Sequence, residues 1–215
     1  MMKLSDATMG LLKNFANINQ NILIEEGQKI RTMSTMKNIL ASAGVTETFP
    51  RSVGIYDLNE FLGVLSMAKD ADIQFEDSHM TVSSGKTRIK YMYSDPSILT
   101  VPPQTFNAPD IDVEFNVDKE VLQNILKASA VMQLPDIVIA DGGVIVTDLK
   151  NTTSNDYSVE LSTTISDTTH RCHFKADNLK MLPGSYHVRV ASSANVSQWV
   201  GEVADYWIAM EATGD

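Results

Sequence analysis

The side chains best suited to chemistry are few and scattered. Histidine and cysteine meet once, at His170-Arg171-Cys172-His173. The spacing invites a metal reading. In an extended strand, however, His170 and Cys172 point to one face and His173 to the other. A closed metal site takes about four ligands, and no second cluster of this kind occurs in the chain. These are read as ordinary strand residues, with no metal and no cofactor expected. Cys172 is the single cysteine. Beside Arg171 it has one requirement of a reactive thiol, but a lone cysteine among apolar strand residues is expected in a core. No serine elbow, phosphate-cradling glycine loop or Walker lysine is present. No catalytic residue is therefore assigned, and the chain is not expected to be an enzyme. What remains is the chemistry of lysines and amides, which bind phosphates rather than transform them.

The elements that carry those lysines repeat. Asp6, Asp57, Asp118 and Asp177 each precede a short amphipathic run, at intervals that suggest one duplicated supersecondary unit. Each aspartate is a candidate helix cap. The first run uses Leu11, Leu12, Phe15 and Ile18; the second Leu58, Phe61, Leu62 and Leu65; the third Val121, Leu122, Ile125, Leu126 and Ser129. The fourth, about two turns long, stops at Pro183-Gly184. Between the runs the periodicity becomes that of strands, with Asp141-Gly142-Gly143 a strong hairpin turn. Four of the seven prolines fall in residues 95–110, which predicts a connector there. The expected organisation is α+β: two similar domains, 1–107 and 108–215, each with two helices on antiparallel sheet.

Charge follows the same division. The net charge of −10 argues against nucleic acid if it is evenly spread. The four helical segments (3–17, 57–70, 118–131 and 175–182) hold seven lysines and seven acids, leaving ten basic and twenty acidic residues elsewhere. Four of the seven helical acids are the capping aspartates. The remaining polar faces are basic and amide-rich, through Lys13, Asn14, Asn17, Lys69, Lys119, Gln123, Asn124, Lys127 and Lys180. Such faces could meet phosphates while acidic strands keep the exterior soluble. A solvated helix face with balanced charge accounts for the same composition. No apolar run reaches the roughly 18 residues that would cross a membrane, the first twenty residues do not read as a signal peptide, and one cysteine suits a reducing compartment.

Over its whole length the chain resembles the sliding clamps of T4-like bacteriophages, the DNA polymerase processivity factors. The resemblance lies in Leu11-Leu12-Lys13-Asn14-Phe15-Ala16, Ile55-Tyr56-Asp57-Leu58-Asn59 with Phe61-Leu62-Gly63, Pro183-Gly184 with Tyr186, and Gly201-Glu202, Ala204, Tyr206 and Ala209. Residues 28–48 and 150–171 look divergent. The resemblance implies a homotrimer of six domains around a helix-lined hole that encircles double-stranded DNA, independent of sequence. It also implies loading by an ATP-dependent clamp loader, tethering of the replicative DNA polymerase, and a place in the cytoplasm of the infected bacterial host. Engagement of a late-transcription sigma-like factor and its co-activator is a further implication. By analogy with clamps generally, Leu99, Val101, Pro102, Ile208 and Met210 would line the partner pocket. Edge strands containing Arg88, Lys90, Tyr157 and Glu160 would join the subunits. A β-rich oligomeric virion or scaffold protein without DNA contact is the alternative.

Overall fold

The computed structural model describes residues 1–68, 70–104, 110–161 and 171–212. The chain divides into two compact units, Met1–Gln104 and Thr105–Asp215.

In the first unit, α1 (Asp6–Ile18) buries Leu11, Leu12, Phe15 and Ile18 on one stripe. Its cap is Ser5, whose Oγ accepts from Thr8 N at 3.2 Å; Asp6 stands one residue further in, where the positive end of the helix favours an acid. Four strands follow: β1 (Ile22–Ile24), β2 (Gly27–Met33), β3 (Ile39–Phe49) and β4 (Val53–Ile55). β1 pairs with β4, and β2 forms a hairpin with β3 that is irregular between Gly27, at φ 118°, and Lys29. α2 (Leu58–Met67) is capped by Asp57, which accepts from Asn59 N and Glu60 N, each at 3.0 Å. An antiparallel meander, β5 (Asp72–Phe75), β6 (His79–Ser84) and β7 (Thr87–Met92), completes the unit. α1 lies against α2 and across β2 and β3.

The second unit contains β8 (Val113–Val117), α3 (Lys119–Met132), β9 (Asp136–Ala140), β10 (Gly143–Thr147), β11 (Tyr157–Glu160) and β12 (Cys172–Lys175). It continues with β13 (Tyr186–Ala191), β14 (Val196–Gly201) and β15 (Asp205–Ala209). One sheet runs β11-β10-β9-β12; β8, β13, β14 and β15 pair in that order in another. Asp141 and Gly142 form the two-residue β9–β10 turn with φ of 52° and 78°, the left-handed pair a type I′ turn demands. Trp199 has no exposed surface; its Nε1 donates to Ser197 Oγ at 2.9 Å, and Phe174 and Tyr186 meet it edge-on. Trp207 stays half-buried.

The fourth expected helix condenses to a single 3-10 turn, Ala176–Asn178. Lys175 still belongs to β12, and Leu182 precedes a proline, which disfavours helical backbone there. Too few residues are left between them to nucleate an α-helix.

Candidate functional site

On α1, Lys13 and Asn17 are exposed. Asn14 is 9% exposed, which corrects its placement among the outward residues. Three residues after Leu11 and one before Phe15, it falls on the stripe α1 buries. On α3, Lys119, Gln123 and Lys127 recur every four residues along one exposed face with Asn124 beside them. The Lys119 amide donates to Ser185 Oγ at 3.0 Å, tying the start of α3 to the loop before β13. Lys180 is exposed on irregular chain after the 3-10 turn rather than on a helix. Lys69 lies outside the described residues.

The first turn of α1 is fixed by a side chain that sequence reading passed over. Glu47 on β3 is buried and takes the Ser5 backbone N–H on one oxygen and Thr8 Oγ1, at 2.6 Å, on the other. Burial pushes this carboxyl up. The hydrogen bonds from Thr8 and from the Ser5 backbone outweigh that effect and bring it down to about 2. Its only sequence signal is one acid on a strand of small and apolar residues, visible once the burial of β3 is known.

The residues assigned to a partner pocket differ in exposure. Leu99 is buried and lies so close to Gly54 that a Cβ there would be 3.1 Å from Leu99 Cδ1 and 2.3 Å from Ser94 O. Pro102 is buried and Val101 half-buried. The connector is held to its own unit by Ser94 N to Gly54 O at 2.9 Å, Thr100 N to Asn21 Oδ1 at 2.8 Å and Arg31 Nη1 to Pro103 O at 2.8 Å. Among its described residues, the most exposed large apolar side chain is Ile98, 60% exposed. Ile208 has no exposed surface and Met210 is buried. Both are core of the second unit, because alternation along β15 turns Tyr206 and Ile208 inward. Of the five, only Val101 offers more than marginal surface in the free chain.

His173 has a structural partner. Its Nε2 lies 2.8 Å from Oδ1 of Asp136, a fully buried carboxylate on β9; Lys175 Nζ reaches the same oxygen, and Leu149 N donates to the other at 2.9 Å. Burial pushes Asp136 upward, but the Lys175 and His173 contacts hold it below its ordinary value. Cys172 faces the opposite way and is buried, with its thiol pushed up to about 12 by burial and by Asp112. It is not poised as a nucleophile. His170 lies outside the described residues, and no group of three or more potential metal ligands occurs among those described.

Among the described strands, β7 and β11 each end a sheet. Arg88 and Lys90 are exposed on β7; Glu160 is exposed and Tyr157 half-buried on β11. Beside β11, Asn124, Lys127, Ala128, Val131, Met132 and Tyr157 line a groove of about 260 Å³. Val131 is 75% exposed, an apolar group the helical stripe did not anticipate.

Helix-backed antiparallel sheet, repeated in two units, is the clamp architecture. The chain is similar in fold to the A. fulgidus PCNA solved with the C-terminal region of FEN-1 (TM-score 0.70, 13% identity, 96% of each chain covered). It is also similar to the Pseudomonas aeruginosa DNA polymerase sliding clamp (TM-score 0.68, 9% identity), of which it covers 63%. Residues 3–99 match the family described as DNA polymerase processivity factor, and residues 114–212 the one described as gp45 sliding clamp, C terminal. The sliding clamp of Vibrio phage KVP40 is 31% identical over 98% of this chain and all of its own length; that of Enterobacteria phage T4 is 32% identical over 98% and 97%. The chain belongs to this sliding-clamp family of phage DNA polymerase processivity factors.

Proposed function

We propose that three copies close head-to-tail into a ring around duplex DNA, in the cytoplasm of the infected bacterial host, and tether the replicative polymerase without catalysing a step. The observation that carries this reading is the stripe Lys119-Gln123-Lys127 on α3, with Lys13 and Asn17 on α1, in a chain whose net charge is −10. Cationic and amide side chains on rigid helices meet phosphates without reading bases, and enclosure rather than grip supplies retention. An ATP-hydrolysing loader opens the ring. The polymerase docks through a short apolar segment on the connector, where Ile98 and Val101 are the accessible anchors. The FEN-1 segment on the A. fulgidus clamp supports docking by a terminal peptide. Late-transcription factors use the same face.

Retention tests this. A ring of about 71 kDa, three times 23.7 kDa, loaded on nicked circular DNA should survive moderate salt and slide off once the DNA is linearised. Equal loss from both forms would favour the scaffold alternative.

A further inference from the structure

Assuming the head-to-tail ring just described, the structure assigns one register to the joint. We infer that β7 of one copy pairs antiparallel with β11 of the next, with Tyr91 opposite Tyr157, Lys90 opposite Ser158, Ile89 opposite Val159 and Arg88 opposite Glu160.

Three observations select it. The first is face. Within the first unit Tyr91 and Ile89 stand beside buried Met80 and Val82, so they lie on the core side of β7. Within the second unit Tyr157 and Val159 stand beside buried Val146 and Val144. Residues directly opposite in an antiparallel pair share a face, so a one-residue slip would put core side chains against solvent-facing ones. The second is overlap. Of the registers with the correct face, only this one sets all four residues of β11 against residues of β7; a shift of two either way loses one pair.

The third is charge. β7 and its turn expose Lys86, Arg88 and Lys90; β11 and its approach expose Asp156 and Glu160. Neither Arg88 nor Glu160 has an ion-pair partner among the described residues. The inferred register sets Arg88 on Glu160 and leaves Lys90 diagonal to both acids, within cross-strand reach. It also occupies the α3 groove. Tyr91 Oη donates to Asp57 O at 3.3 Å, which brings the Tyr56 end of α2 to the same end of β7. Tyr56 is 57% exposed. Opposite Tyr157, that end meets Val131 and Met132, so the groove receives apolar surface of a second copy.

Disulfide trapping reads the register directly. Opposed residues bring Cβ atoms near disulfide distance, whereas diagonal ones do not. Buried Cys172 does not compete. Lys90→Cys with Ser158→Cys should oxidise to covalent trimer in high yield; Lys90→Cys with Glu160→Cys, or with Asp156→Cys, should give at least tenfold less. In native mass spectrometry Arg88→Glu and Glu160→Arg should each raise the trimer's dissociation constant tenfold or more. Together they should return it to within about threefold of the parent, and Val131→Asp should weaken it with the charges intact. A parent that trimerises but cross-links best through another pair overturns the register alone. A parent that never trimerises at micromolar concentration overturns the ring reading beneath it.

Discussion

The substitution Glu47→Gln should cost stability that depends on pH in a calculable way. A carboxyl brought from 4.5 to about 2 on folding contributes at most about 3 kcal/mol at neutral pH. Because the folded value is the lower one, that contribution is complete above about pH 5. It declines as pH falls toward 2, to roughly 1.4 kcal/mol at pH 3. The replacement amide would keep the shape and one acceptor, but would turn an NH2 toward a donor of the first turn of α1 and lose the charge at the helix's positive end. The expected penalty is about 2 kcal/mol at pH 7, shrinking to less than half of that at pH 3. Urea unfolding of both proteins at pH 7, 5 and 3, at one protomer concentration because assembly contributes to stability, measures it. A penalty unchanged across that range would mean that shape, not the carboxylate's charge, holds the helix start.

Gly54→Ala places a Cβ within 2.3 Å of the Ser94 carbonyl; it should destabilise the first unit by about 1–3 kcal/mol and speed proteolysis of the connector, read by urea titration and limited digestion. Asp136→Asn strands Lys175 and His173 beside a neutral amide, at a cost of about 2–3 kcal/mol in urea unfolding, below a fully buried pair because Lys175 keeps 29% of its side chain exposed. Lys13→Glu with Lys119→Glu should leave unfolding free energy within about 0.5 kcal/mol per site and trimer mass unchanged, yet impair loader-dependent processive synthesis on primed circular DNA.

The three α-helices were legible because their apolar residues recur with helical spacing, although of the three aspartates read as their caps only Asp57 closes its helix through its side chain; the β9–β10 hairpin was legible because Asp141-Gly142 marks its turn. β2 and β3 carry no pattern that bounds them: β3 buries Ala41, Ser42 and Ala43, residues too small or polar to print an alternation. β8 was hidden behind the proline-rich connector. Site residues were less legible for a different reason. A stripe of polar residues does not tell which of them borders the buried face, and Asn14 falls on that border. Ile208 was placed by analogy with clamps generally, which carries no information on which face of β15 is covered in this chain. Val131 lies outside the apolar stripe read for α3, so its exposure beside Tyr157 left no mark in the helical spacing.

If copies join as inferred, the signs of the β7 and β11 edges bear on which pairings fail as well as on the one that forms. Two chains meeting through the same edge would form a two-fold dimer. β7 against β7 sets Arg88 and Lys90 among their own kind, and β11 against β11 does so with Asp156 and Glu160. On the inferred joint, an edge left open during assembly is thus protected from its twin while it can still accept the edge of opposite sign.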